Sequence, residues 1–197
     1  MPSIANHDWY RCTRGVLISK RPADGPGTLP DLPATPNRRF AHDGVGIIGT
    51  GWCGGIRAQT CAASPLVGSL HLAEIRPERL AEVAGATRAR TAVTDYRELV
   101  TNAEIEALYI SATPETTHYP MARDCLSAGK HVFLEKPLAL TLPEADELVA
   151  AARERKLKFT IGYSQRFNPK FAYVRKSIRD GSIGRPVSAL VSRHITR

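Results

Sequence analysis

From about residue 44 the chain alternates short apolar runs with amphipathic stretches. Val45–Ile48 is apolar and leads directly into a Gly-rich turn, after which helical spacing runs over Trp52–Ala63. Leu66–Ala73 is the next apolar run. Pro77–Ala84 opens with a proline suited to a first helical turn and closes at Gly85. A weaker strand covers Thr91–Val93 and a short helix Tyr96–Val100. Ile105–Ser111 is apolar and rich in strand formers, Thr117–Ala128 has helical spacing with Gly129 as a stop signal, and His131–Leu134 reads as a strand. A helix over Pro143–Arg155 opened by Thr141, a strand over Lys158–Gly162, a helix over Asn168–Arg179 and a last strand over Val187–Ile195 complete the pattern. Strands and helices alternating at these lengths build right-handed βαβ units on a parallel sheet. The expected fold class is therefore α/β, a doubly wound parallel sheet, with about six strands before residue 163.

Composition adds limits. Of the 197 residues 43% are hydrophobic and 23% charged, a globular balance, and no run approaches the ~18 apolar residues of a membrane span. Residues 1–43 differ: six of the 14 prolines lie there, and the run from Ala23 to Pro36 suits neither a helix nor a central strand. This part is expected to be a disordered extension. An organelle transit peptide would suit Arg11, Arg14 and Arg21, but no amphipathic stripe accompanies them and Asp8 and Asp24 weigh against it. The formal net charge is +8, yet the basic residues are scattered in pairs such as Arg38-Arg39, without a run of like charge. That pattern argues against a nucleic-acid-binding module and suits a solvated surface that attracts an anionic cofactor. Cys12, Cys53, Cys61 and Cys125 form no Cys-x-x-Cys pair and have no histidine at zinc-ligand spacing, so reduced thiols in a cytoplasmic protein, and no metal, are expected.

Gly49-Thr50-Gly51-Trp52-Cys53-Gly54 fits G-x-G-x-x-G between an apolar strand and a helix, the context that gives the pattern meaning. Gly49 permits a tight turn, Gly51 lets the backbone approach a pyrophosphate, and Gly54 lets the helix pack on the strand. The helix N-terminus then offers free N–H groups to the phosphates. Trp52 and Cys53 are expected as packing residues bordering the cofactor. Glu74, at the end of the second strand, is placed to accept from ribose hydroxyls. A carboxylate there favours NAD over NADP, while Arg76 two residues on could hold the extra phosphate of NADP instead.

The stretch Gly129-Lys-His-Val-Phe-Leu-Glu-Lys-Pro137, taken with the Gly loop, resembles the Gfo/Idh/MocA oxidoreductases, a family with a Rossmann NAD(P)-binding domain. Ala112-Thr113-Pro114 with His118 shortly after, Arg166-Phe167, and Ser182-Ile-Gly-Arg-Pro186 are further landmarks. The resemblance covers roughly Val45 to Arg197 and divides the chain into a dinucleotide-binding domain over 44–163 and, over 164–197, the beginning of an incomplete substrate and oligomerisation domain. It implies hydride transfer between a nicotinamide and a hydroxyl of a sugar, inositol or related polyol. It also implies roles. Gly49, Thr50, Gly51, Trp52, Cys53 and Gly54 would surround the pyrophosphate, and Glu74 and Arg76 the adenosine ribose. Thr113, Pro114 and His118 would lie along the cofactor near the nicotinamide, and Arg166 close to the same cleft. Glu135, Lys136 and Pro137 would sit where nicotinamide meets substrate, with the peptide before Pro137 cis. Lys136 would hydrogen-bond the reacting hydroxyl, and Glu135 would help place Lys136 and the nicotinamide ribose. A partly desolvated lysine with a lowered pKa suits that task. His118 alone reads more readily as a packing or capping residue.

The chain also departs from the family. Members run well past 300 residues, are commonly homo-oligomers, and carry an Asp-x-x-x-His pattern on the second domain; here no Asp lies four residues before any of the six histidines. The expectation is a truncated dehydrogenase or, alternatively, a non-catalytic NAD(P)-binding remnant or sensor. Val187–Ile195 is expected to expose an open strand edge prone to association.

Overall fold

The computed structural model describes residues 43–192; the proline-rich stretch expected to be disordered lies outside the described residues, apart from Asp43. The chain divides into two compact units, one ending at Ile161 and the other starting at Gly162.

The first unit is a six-stranded sheet, β1 (Asp43–Ile48), β2 (Val67–Ala73), β3 (Thr91–Val93), β4 (Ile105–Ile110), β5 (His131–Leu134) and β6 (Phe159–Ile161), in the order β3-β2-β1-β4-β5-β6. Every neighbouring pair is parallel. The helices are α1 (Trp52–Ala63), α2 (Pro77–Thr87), α3 (Tyr96–Thr101), α4 (His118–Ser127) and α5 (Leu142–Glu154).

Side chains alternate across the strands, and both faces are covered, which is why these strands read as apolar runs rather than as half-polar ones. Val45 and Ile47 of β1 join Leu70 and Leu72 of β2 under Ala58 and Cys61 of α1 and Leu80 and Val83 of α2. Ile48, Leu108, Ile110, Val132 and Leu134 pack on the other face against Leu99 of α3, Leu126 of α4 and Leu148 of α5. The chain runs outward from β1 to β3 and then crosses back to β4 beside β1. The crevice at the carboxyl ends of β1 and β4 is therefore the switch point where such sheets bind ligands.

Two expectations are corrected. The α2 helix does not stop at Gly85. It continues to Thr87 and ends in left-handed Arg88, at φ 54°. A Cβ at Gly85 would meet nothing within 4 Å, so the glycine is tolerated, and burial of Leu80, Val83 and Thr87 along one face carries the helix past it. Secondly, Val187–Ser192, the described part of the expected final strand, is not a strand. The described residues of the second unit contain no strand for it to pair with, and a strand exists only in a ladder. The second unit holds a 3-10 turn at Ser164–Phe167 and α6 (Pro169–Arg179), whose N-cap Asn168 accepts from the Lys170 amide.

Candidate functional site

The Gly-rich turn and the loops after β2, β4 and β5 line a single cavity of about 730 Å³ in the first unit. That lies within the range of small-molecule and cofactor pockets, roughly 300–1,000 Å³. Gly49, Gly51, Trp52 and Cys53 form one wall, Glu74, Ile75 and Arg76 one end, and Ala112, Thr113, Pro114, His118, Glu135 and Lys136 the other side.

The three glycines do different work. Gly49 has φ +83°, and a Cβ on it would lie 2.6 Å from the Ala112 Cα. A Cβ on Gly54 would lie 1.8 Å from the Gly49 carbonyl oxygen, so this glycine seats α1 on the turn. A Cβ on Gly51 would meet nothing within 4 Å; the space it would fill is the cavity itself. Above it, the first turn of α1 has no side-chain cap and no acidic residue. Its amides and the positive end of the helix dipole are left to an anion.

Thr50 does not line the cavity. It is fully buried, and both its amide and its hydroxyl donate to Oε2 of Glu74, at 2.8 and 3.1 Å. Arg76 donates to Oε1 from its amide at 3.3 Å and its Nε at 3.0 Å. Burial pushes the Glu74 carboxyl up, but the hydrogen bonds from Arg76 and Thr50 together outweigh it and hold the group below its usual value. Glu74 is thus a buried carboxylate braced against the Gly loop rather than an open strand-end charge.

At the other end, Oε1 of Glu135 accepts from Nη2 of Arg57 at 2.7 Å, a partner on α1 that carries no motif. The Arg57 guanidinium also lies 5.3 Å from the Phe133 ring centroid. Lys136 lines the cavity and is exposed, two residues beyond the end of β5, with no hydrogen bond or ion pair among the described residues. His118 is 2% exposed. Its Nδ1 lies 2.7 Å from the Pro137 carbonyl oxygen and its Nε2 3.1 Å from that of Ala112, so the buried ring sits between the loops after β4 and β5, and the single N–H of a neutral imidazole donates to one of the two carbonyls. Pro137 does not line the cavity and acts through that carbonyl. The peptides before Pro114 and Pro137 are both cis.

Trp52 is corrected from a packing residue to an exposed one: as the first residue of α1 it is 82% exposed on the cavity wall. Arg166 belongs to the second unit, with its guanidinium 6.0 Å from the Tyr163 ring centroid. Residues the sequence reading missed include Arg57, Ile75, Tyr96 and Ser111. The Ser111 hydroxyl, in a cavity-lining residue, is buried without a partner among the described residues. With the uncapped helix end and the open space at Gly51, that orphaned hydroxyl makes the residues present a fit for a phosphate-bearing dinucleotide.

The comparisons with known proteins agree with this geometry. The family model described as the oxidoreductase family with an NAD-binding Rossmann fold, GFO_IDH_MocA, matches residues 44–163. The chain is 39% identical over 137 residues to UDP-N-acetylglucosamine 3-dehydrogenase of Acidithiobacillus ferrooxidans, covering 69% of this chain and 42% of that protein. It is 28% identical over 142 residues to myo-inositol 2-dehydrogenase of Thermotoga maritima, covering 72% and 42%. Among solved structures, scyllo-inositol dehydrogenase from Lactobacillus casei with bound NAD(H) and scyllo-inositol matches with a TM-score of 0.66 at 27% identity, over 72% of this chain and 42% of that one. The chain thus spans about two fifths of the length of these relatives. With a six-stranded doubly wound sheet, a glycine cradle at its switch point and a family match over more than half its residues, the chain belongs to the Gfo/Idh/MocA oxidoreductase family.

Proposed function

We propose that this chain is the cofactor-binding part of an NAD(P)-dependent dehydrogenase that acts on a hydroxyl of a sugar, inositol or related polyol. One observation carries the reading: a single cavity has a glycine phosphate cradle in its wall, a braced carboxylate at one end and Glu135-Lys136 at the other. The relatives named above, which act on inositols and a nucleotide sugar by their names, support the substrate class.

When bound, the nicotinamide cofactor accepts or donates the hydride. The residues of the chain do the rest. The α1 amides hold the pyrophosphate beside Gly51. Glu74 receives the adenosine ribose hydroxyls, and its charge opposes a 2′-phosphate, so NAD is the proposed cofactor. Thr113 and Pro114 flank the nicotinamide half. In the oxidative direction Lys136, as the neutral amine, accepts the hydrogen bond of the reacting hydroxyl at Nζ and takes its proton as the hydride leaves; in the reductive direction the resulting ammonium donates to the carbonyl oxygen and returns that proton. Glu135, fixed by Arg57, sets where the Lys136 backbone leaves the strand. Cys53, Cys61 and Cys125 are free thiols, in keeping with a reducing cytoplasmic setting.

A second reading, dinucleotide binding without turnover, is favoured by the exposure of Lys136 and its lack of a partner among the described residues. Fluorescence titration of the 197-residue chain with NADH and NADPH tests what the two readings share. Saturable binding, tighter for NADH, is expected; a folded chain that binds neither would refute both. Turnover of a polyol with NAD, abolished in Lys136→Ala with NADH binding retained, would then select the first.

A further inference from the structure

We infer that the Arg76 side chain occupies, in the free protein, the place on Glu74 that a ribose hydroxyl of the cofactor takes, and so competes with NAD(H). This rests on the dinucleotide reading above. The argument is a count of lone pairs. An ionised carboxylate offers about four acceptor positions, two on each oxygen. Oε2 of Glu74 receives the Thr50 amide at 2.8 Å and the Thr50 hydroxyl at 3.1 Å. Oε1 receives the Arg76 amide at 3.3 Å and the Arg76 Nε at 3.0 Å. All four positions are filled by the chain itself, so a vicinal diol can donate to this carboxylate only by displacing a donor already there.

The four donors differ in how readily they leave. Thr50 is fully buried, and its amide is fixed by the Gly loop. The Arg76 amide is fixed by the start of α2, where Arg76 is the N-cap. The Arg76 side chain is 63% exposed and departs by turning its own torsions into water. It is therefore the donor that yields. Its departure loses an ion pair that an incoming hydroxyl replaces only with a hydrogen bond, so NAD(H) binds against a resident competitor. Once released, the guanidinium stays tethered two residues from Glu74, where it can pair with a phosphate on the 2′ position. One side chain thus weakens NAD(H) and favours NADP(H), narrowing the preference that Glu74 alone would impose.

The test is titration of the wild-type chain, Arg76→Ala and Arg76→Gln with NADH and with NADPH, with circular dichroism to verify folding. Both variants are expected to bind NADH about two- to five-fold more tightly, the range set by a partly exposed ion pair, and NADPH more weakly. Unchanged or weaker NADH binding in the folded variants, with the wild type binding NADH, would overturn the competition and leave the dinucleotide reading standing. Failure of the wild type to bind either nucleotide would overturn both.

Discussion

Arg57 on α1 holds Glu135 through a 2.7 Å contact between its Nη2 and Oε1 of the carboxylate, bridging 78 positions of sequence. The Glu135 side chain is largely buried and that of Arg57 about one-third exposed, so the pair lies between a surface ion pair and a buried one. Removing Arg57 strands a mostly buried carboxylate. Arg57→Ala is expected to lower stability by about 1–3 kcal/mol, measured by urea unfolding at neutral pH. The double variant Arg57→Ala/Glu135→Gln should recover part of the loss, because the stranded charge is gone. A double variant no better than the single one would deny the pairing.

Gly51 and Gly54 belong to the same motif but should fail in different ways. Gly54→Ala forces a methyl to within 1.8 Å of the Gly49 carbonyl oxygen and is expected to cost about 1–3 kcal/mol of stability. Gly51→Ala puts its methyl into open cavity, so its melting temperature should stay near that of the wild type. NADH affinity should nevertheless fall at least about tenfold, since the methyl takes the space of a phosphate. Thermal melts and titrations on both variants check the contrast.

His71 on β2 is 0% exposed, with Nε2 2.9 Å from the Ser69 hydroxyl and Nδ1 without a partner among the described residues. Burial lowers its pKa, with smaller opposing influences from Glu104, which raises it, and Arg90, which lowers it. The unfolded chain therefore binds a proton that the folded chain resists. Stability should be intact above about pH 6.5, the unfolded histidine value, and decline as the pH falls below it. Unfolding free energies measured between pH 7.5 and 5.5 should show this slope, and His71→Phe should flatten it. Glu74, with its pKa lowered, adds its own loss only further into acid, below the ordinary carboxylate range, so the two effects separate.

Thiol reactivity should rank the described cysteines by position. Cys61 and Cys125 are buried, and burial raises both pKa values, that of Cys125 to about 12. Cys53 is partly exposed on the cavity wall. A maleimide followed by peptide mass mapping should label Cys53 well before the other two, and NADH should slow that labelling. Equal labelling with and without NADH would separate Cys53 from the bound cofactor.

What could be read from the chain was local. The strands were legible because a sheet covered on both faces turns β1, β2 and β4 into uninterrupted apolar runs. The glycine turn was legible because its three glycines sit within six residues. The misreadings came from contacts that local pattern does not encode. Arg57 looked like any surface arginine on α1, since its partner lies on another element. The saturation of Glu74 has no local signal, because it depends on Thr50, 24 positions earlier. Gly85 was read as a stop signal because the buried face that carries α2 onward is a tertiary fact. The apolar residues of Val187–Ile195 suggested a strand, but composition does not supply a neighbouring strand.

The His118 ring lies between the Ala112 and Pro137 carbonyl oxygens, at 3.1 and 2.7 Å. Because one buried ring packs against both segments, a shift of the loop beyond β4 changes the surroundings of the loop beyond β5, and a substitution in one is felt in the other. Trp52 and Ile75, by contrast, are largely exposed side chains of the same cavity, with room to turn about their own torsions. A bulkier ligand therefore meets the least confined side chains of the cavity there, and the most confined one at His118.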